Sequence, residues 1–290
     1  MSKKRIWTID RVESMVHEVS IDLAKPGCRV LLTSDWHFDN PKCRRDLLQR
    51  HLDEAVETDS PVMCFGDLFC MMQGKYDKRS AKTDLRPEHQ TGSYIDAVID
   101  EAADWLDPYK HVLAFITLGN HETSIIDRHE TNPIDRLAAK LRDKGGITLS
   151  GGYQGYVRFN LFHGTARHRF RLFFHHGAGG GAPVTKGAID FNRLREIAEA
   201  DIYVLGHIHR RNHDDGVLLD LNHNGRLTLR QRDYVRTSTY KQEGHHAAGW
   251  CESKMMGTRP LGGFWMEVSQ RRERKQRIFE RKFVPTSPNH

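Results

Sequence analysis

Short apolar runs alternate along the chain with stretches whose apolar residues recur at helical spacing, and this alternation predicts an α/β layer architecture. Arg29–Ser34 reads as a buried strand ending at Asp35, Pro61–Phe65 as a second ending at Gly66-Asp67, and Val112–Leu118 as a third ending at Gly119-Asn120. Between them, Cys43–Glu57 carries Leu47, Leu48, Leu52, Ala55 and Val56 at helical spacing, and Ser93–Leu106 carries Tyr94, Val98, Ala102, Trp105 and Leu106 on one side. Pro133–Arg142 predicts another helix, with Pro133 in its first turn and Gly145-Gly146 past its end. The second half is richer in strands. Tyr156–Phe162 and Arg169–His175 suit an antiparallel pair, Phe191–Ala200 is helical, and Ile202–Leu205 is a strand ending at Gly206-His207. Asn224-Gly225 marks a hairpin between Val217–Leu221 and Arg226–Val235. Met71–Gly92 is polar, charged and without period, which reads as an insertion or a flap.

Composition narrows the class. The chain has 290 residues, 38% hydrophobic and 28% charged, ordinary values for a globular protein. No apolar run approaches the roughly 20 residues that span a bilayer, and no apolar stretch follows the basic Met1-Ser2-Lys3-Lys4-Arg5, so neither a membrane segment nor a signal peptide is expected. Cys28, Cys43, Cys64, Cys70 and Cys251 form no C-x-x-C pair, which fits reduced thiols in a cytoplasmic compartment. The net charge of +6 is uneven: Ser269–Val284 holds seven Lys/Arg against Glu273 and Glu280. The expected organisation is one domain over 1–290, with the flap or insertion at 71–92 and a basic C-terminal extension at 269–290. Such an extension suits an anionic partner or simply solubility.

The chemistry lies where the strands end. Asp35-Trp36-His37, Gly66-Asp67, Gly119-Asn120-His121-Glu122 and Gly206-His207-Ile208-His209 each follow a predicted strand, and Phe173-Phe174-His175-His176-Gly177 follows an apolar-rich stretch. Ligands collect at the carboxyl ends of strands in open α/β sheets, so residues distant in sequence can converge there. Asp-x-His and Gly-Asp alone are common turns or surface pairs, Gly-Asn-His-Glu is more informative and Gly-His-Ile-His is a fair metal signal; five in this order leave little room for coincidence.

Together they resemble the calcineurin-like metallophosphoesterase superfamily, whose pattern is Asp-x-His, Gly-Asp-x-x-Asp, Gly-Asn-His-Glu/Asp, His-Gly and Gly-His-x-His. The resemblance implies a four-layer αββα sandwich, two mixed sheets flanked by helices, with a dimetal site at the strand C-terminal ends. It implies that Asp35, His37 and His209 hold one metal and Asn120, His176 and His207 the other, with Asp67 bridging. His176 is preferred over His175 because the family has His-Gly. Mixed imidazole and carboxylate ligation suits two divalent transition-metal ions, Mn²⁺ foremost, then Fe, Zn²⁺ or Ni²⁺. His121 is implied to protonate the leaving oxygen or steady the transition state, with Glu122, either orienting His121 or serving as a helix N-terminal charge, and His175 in supporting positions. One departure stands out: the second motif reads Gly66-Asp67-Leu68-Phe69-Cys70, so Cys70 replaces its last Asp. A buried structural thiol is the plainest reading of it.

The superfamily motifs do not choose the phosphoester. In Arg226–Arg236 the even positions Arg226, Arg230, Arg232, Tyr234 and Arg236 predict a basic strand face with one aromatic, backed by apolar Leu227, Leu229 and Val235. Arg167, Arg169 and Arg171 form a second ladder. Such faces suit a phosphate backbone, so the reading leans to a phosphodiesterase or nuclease acting on DNA, RNA or nucleotides. A phosphomonoesterase is the alternative, and an inactive binding module a third.

Overall fold

The computed structural model describes residues 6–23, 27–71, 85–180, 185, 187–244, 250–253, 255–273 and 276–287. Most of the expected flap, 72–84, lies outside them, as do the N-terminal five residues and the last three of the basic extension. In chain order the strands are β1 (Trp7–Glu13), β2 (Val16–Asp22), β3 (Cys28–Thr33), β4 (Val62–Cys64), β5 (Leu113–Thr117), β6 (Leu149–Gly151), β7 (Gln154–His163), β8 (Ala166–His175), β9 (Ile202–Leu205), β10 (Asn212–Leu221), β11 (Leu227–Arg236), β12 (Phe264–Glu273) and β13 (Gln276–Pro285). The helices are α1 (Arg45–Glu57), α2 (Tyr94–Trp105), α3 (Asn120–His129), α4 (Pro133–Asp143), α5 (Ala188–Ile197) and α6 (Trp250–Ser253). Among the described residues, no helix is long and apolar enough to cross a membrane.

The strands form two mixed sheets, ordered β1-β2-β7-β8-β9-β11-β10 and β13-β12-β3-β4-β5-β6. Alternation along each strand decides what lies between the layers. On β3, Val30 and Leu32 enter the core shared with Val157, Phe159, Leu172, Phe174 and Val204 of the first sheet, whereas Leu31 faces Leu48 and Leu52 of α1. The outer face of the second sheet is covered by α1, α2 and α4. On the first sheet, Phe173, Tyr203 and Tyr234 pack against Phe191 and Leu194 of α5. The result is the αββα sandwich expected from the sequence. The antiparallel β7–β8 pair and the Asn224-Gly225 hairpin are also present, with Leu221 opposite Leu227.

Two hairpins escaped the sequence reading. β1–β2 extends the first sheet through parallel pairing of β2 with β7. β12–β13 extends the second through antiparallel pairing of β12 with β3, so residues 269–273 and 276–285 of the expected extension belong to a sheet. Apolar Phe264, Met266, Val268 and Phe283 alternate among the charges and enter the core. The charges themselves are partly matched: Arg281 Nε binds buried Asp233 at 2.7 Å, and Arg271 binds Glu273 and Glu280.

One ionic contact ties α1 to α2. Glu101 accepts Nη1 and Nη2 of Arg45 at 2.5 and 2.8 Å and Nε2 of His89 at 2.7 Å, while the Arg45 guanidinium lies 3.7 Å over the Phe38 ring. Burial opposes its charge, but His89 and Arg45 prevail and hold the Glu101 carboxyl down to about 2. A carboxylate depressed below its ordinary 4.5 stabilises the fold fully above that pH and ceases to do so as pH falls through about 2. Glu101→Gln should therefore lower unfolding stability by about 1.5–3 kcal/mol at pH 7, the range for hydrogen bonds to charged groups. Urea denaturation repeated at pH 3 should show a smaller penalty; an equal one would place its origin elsewhere.

Candidate metal centre

Five strands deliver their following residues to one end of the sandwich: β3 to Asp35 and His37, β4 to Asp67, β5 to Asn120, β8 to His176, and β9 to His207 and His209. The backbone there is unusual. Asp35, His37, Asp67, His207 and His209 all have left-handed φ, between 47° and 73°, a conformation that costs non-glycine residues about 1–3 kcal/mol each. Its clustering on five of the seven sequence-chosen ligands marks where the fold sustains strain. Two glycines are required by close approach. A Cβ on Gly66, itself at φ 87°, would lie 2.3 Å from His176 Nδ1; one on Gly119 would lie 2.1 Å from Asp67 Oδ1.

The side chains form two abutting triads, Asp35-His37-His209 and Asp67-His176-His207, within each of which the donor atoms lie no more than 4.8 Å apart. In the first, His37 Nε2 faces His209 Nε2 at 3.0 Å, and His209 Nε2 is 3.4 Å from Asp35 Oδ1. In the second, His176 Nε2 is 3.1 Å from Asp67 Oδ2 and 4.0 Å from Asp35 Oδ1. Asn120 Oδ1 points at His207 Nδ1, 2.7 Å away. His175 stays outside the cluster; its Nδ1 accepts Gly177 N–H and its ring packs edge-on against Tyr153.

These donors fit cations. Asp35 Oδ1 is buried and makes no hydrogen bond. The Asn120 carboxamide oxygen faces only acceptors, a mismatch that a 180° flip or a cation between them would resolve. Burial alone lowers His176, but the adjacent Asp67 carboxylate outweighs it and lifts the imidazole to about 10. That proton balances Asp67 as a cation would, and ligation by Nε2 would release it. His37 is held well below its ordinary value by burial and by the neighbouring imidazoles of His121 and His209, which keeps it neutral and able to donate a lone pair.

The surroundings hold the ligands in place. Asp35 Oδ2 accepts His207 N–H at 3.0 Å and the Ser34 hydroxyl. Glu122 is fully buried at the start of α3. It accepts backbone N–H groups of Gly119, Asp67 and Phe69 at 2.8, 3.1 and 2.9 Å, so it clamps two ligand loops together and does not orient His121. Burial and the Asp67 charge push it up to about 8. His121 Nδ1 instead donates to Cys70 carbonyl oxygen at 2.5 Å, leaving Nε2 facing Asp67 Oδ2 at 3.7 Å. Sequence reasoning missed Asp39, which accepts Cys70 and Met71 N–H and the Tyr94 hydroxyl. Its position two residues beyond His37 was the available signal. It also missed Tyr153, whose hydroxyl donates to Gly177 carbonyl oxygen at 2.6 Å; no motif announces it.

The arginine face needs correction. Tyr234 and Arg236 are 2% and 1% exposed. Tyr234 packs under α5, and Arg236 donates to Gly206 and Gly187 carbonyls and to Asp190; neither can contact a polynucleotide. The apolar backing fails too, since Leu227 and Leu229 are 68% and 73% exposed. Near the hairpin turn the strand has outrun the sandwich, and only Val235 reaches the core. Arg230 and Arg232 do lie on the outer face, paired with Glu199, Asp201 and Asp220. Arg226 is exposed next to the turn, ten residues along the strand from the metal end, about 30 Å away.

Asp67→Asn and His207→Ala should each lower bound transition metal below the two ions expected of the parent, measured by elemental analysis after loading with Mn²⁺ and desalting. Full two-ion occupancy in Asp67→Asn would remove Asp67 from the ligand set.

Among curated proteins, none matches this sequence. Solved structures similar to it include Vacuolar Protein Sorting 29 from Cryptosporidium parvum, at 15% identity over 90% of this chain and 100% of that one, TM-score 0.37. A predicted phosphoesterase from Streptococcus pneumoniae is 14% identical over 90% and 91%, TM-score 0.33, and Plasmodium GAP50 is 12% identical over 90% and 85%, TM-score 0.43. The model of the calcineurin-like phosphoesterase family matches residues 28–211, more than half of the chain and the whole span of the five motifs, and the chain belongs to that family.

Proposed function

We propose that this protein hydrolyses phosphodiesters of nucleic acid or nucleotides, with the two triads as its metal ligands and His121 as its general acid. The observation that carries the hydrolase reading is the convergence of Asp35, His37, Asp67, Asn120, His176, His207 and His209 on adjoining sites, with Asp35 Oδ1 and His37 Nδ1 buried and without a hydrogen bond. Metal ions held there would polarise the phosphoryl oxygens and lower the pKa of a water nucleophile. The protein's own contribution is positional. Asp67 is the anion between the ligand groups, Glu122 fixes its loop against Gly119, and Asp35 Oδ2 anchors the His207 backbone. His121 donates Nδ1–H to the Cys70 carbonyl, so in the imidazolium form the Nε2–H proton is the one that would pass to the leaving oxygen, leaving the neutral Nδ1–H ring. The preference for diesters is supported by the net charge and by Arg167, Arg169, Arg171, Arg230 and Arg232, which share the outer face of the first sheet.

His121→Ala should lower kcat by roughly 10²–10⁴, the usual contribution of a positioned acid, with metal content retained and the smallest loss on substrates with good leaving groups. Loss of a metal ion from this variant would make His121 a ligand.

Substrate class is tested with bis-p-nitrophenyl phosphate, p-nitrophenyl phosphate, single-stranded and duplex DNA, and RNA, each with Mn²⁺. Polynucleotide binding should weaken with salt, and Arg230→Ala with Arg232→Ala should make the slope of log K against log[salt] shallower by about one to two. Hydrolysis of the small diester should be unaffected. A metal-loaded protein that cleaves the monoester well and leaves DNA and RNA intact at low salt would overturn the diester reading and leave the family membership standing.

A further inference from the structure

One face of the β10–β11 hairpin has no covering layer among the described residues. Val217, Leu219 and Leu221 alternate on β10 with Leu218 and Asp220, and Leu227 and Leu229 alternate on β11 with Thr228 and Arg230. The register sets Leu219 opposite Leu229 and Leu221 opposite Leu227, so the five share one face, with neutral Gln231 beside Val217. Each of the five is 61–73% exposed. Nearer the sandwich the same face is core: Val235 lies in it, and the His213 ring packs against Phe264 and Phe283 of the second sheet. The hairpin thus carries a core-facing surface past the edge of the sheet that would cover it. Arg230 and Arg232 take the opposite face, with Glu199, Asp201 and Asp220. Asp215 and Arg226 stand at the two ends of the apolar face, both exposed. Asp215 lies opposite Asp233, which Arg281 already pairs, and neither Asp215 nor Arg226 has an ionic partner among the described residues.

We infer that this face is the contact between two copies of the chain, packed hairpin on hairpin across a two-fold axis. Area is the first argument. Five side chains exposed to this degree present about 500 Å² of apolar surface, near the upper end of what a monomer shows. Two copies together remove about 1,000 Å² from water, the threshold for a specific interface. Self-complementarity is the second. A two-fold contact sets a surface against itself, so its centre must hold no charge, and between Asp215 and the turn this face holds only valine, leucine and glutamine. Charge at the rim is the third. A two-fold axis at the Leu219–Leu229 pair runs the two hairpins in opposite directions. Each turn then overlies the partner's hairpin base, and Arg226 meets the partner's Asp215. Sheets stacked face to face stand about 10 Å apart, a gap that two layers of leucine side chains fill. The contact does not depend on the phosphoesterase reading.

Sedimentation equilibrium of the full chain, over about 1–100 µM, tests the contact. The parent should approach twice its 33.5 kDa mass as concentration rises. Leu219→Lys combined with Leu229→Lys brings like charges together at the axis and should raise the dimer dissociation constant at least about a hundredfold. Both positions are exposed in the single copy, so far-ultraviolet circular dichroism at the lowest concentration should match the parent. Should the lysine variant fail to fold, the rim supplies the second test. Arg226→Asp or Asp215→Arg alone should weaken the dimer about tenfold, and the two together should restore the parental constant. A parent that stays monomeric at the highest concentration would overturn the proposal; if it then co-sediments with phosphatidylcholine vesicles, the leucines belong to a lipid surface. A dimer indifferent to the lysine pair would place the contact elsewhere on the molecule. Single reversals without effect, or a double reversal that fails to restore the constant, would overturn the antiparallel arrangement.

Discussion

Two carboxylates buried at the ends of parallel strands govern this structure. Asp35 and Asp67 are almost wholly removed from water, and a buried anion without compensation costs several kcal/mol. Compensation comes from every side: backbone N–H groups of His207 and His121, the Ser34 hydroxyl, and the imidazoles of His176 and His209. Asp35 Oδ1 alone makes no hydrogen bond, and it lies where His209 and His176 approach. The high affinity of His176 for its proton and the low one of His37 express the same demand at two positions.

The strain of the ligand loops follows from that arrangement. Strands β3, β4 and β5 are parallel and fully buried at their carboxyl ends, so the chain must turn sharply immediately after each to present a side chain to a shared point. Left-handed residues achieve this in one step, and the surrounding sheet over-determines them. Glu122 joins the loops after β4 and β5 through three N–H groups, and Asp39 secures the continuation of the β4 loop at Cys70 and Met71. A chain of backbone contacts thus runs from the first motif to the third. Disturbing Glu122 releases the Asp67 backbone it holds, and disturbing Asp39 reaches the same loop through Cys70 and Met71.

At the opposite end the sandwich is less closed. β10–β11 carries Leu219, Leu221, Leu227 and Leu229 exposed, beyond the point where Val235 enters the core. β12–β13 carries the basic residues that looked like a tail, yet its Phe264–Val268 half is central to the second sheet. Charge density and burial coexist there because alternate residues face opposite ways.

The sequence by itself determined the core strands, the principal helices and the motifs that carry the candidate ligands, because a buried parallel strand reads as an unbroken apolar run and the polar motif follows at once. It also favoured His176 over His175, through the adjacent Gly177. Only the tertiary structure decided the rest. Whether an alternating strand shows its polar face to water depends on what packs there, so Tyr234 and Arg236 vanish beneath α5 while Leu229 stands in solvent. Hairpin β12–β13 is disguised by its arginines, one of which, Arg281, finds its acidic partner Asp233 only across the fold. Glu122 looked like a helper of His121 because they are adjacent in sequence. Helix geometry turns neighbours about 100° apart, and so it carries Glu122 inward to the backbone of the Asp67 loop and leaves His121 at the site.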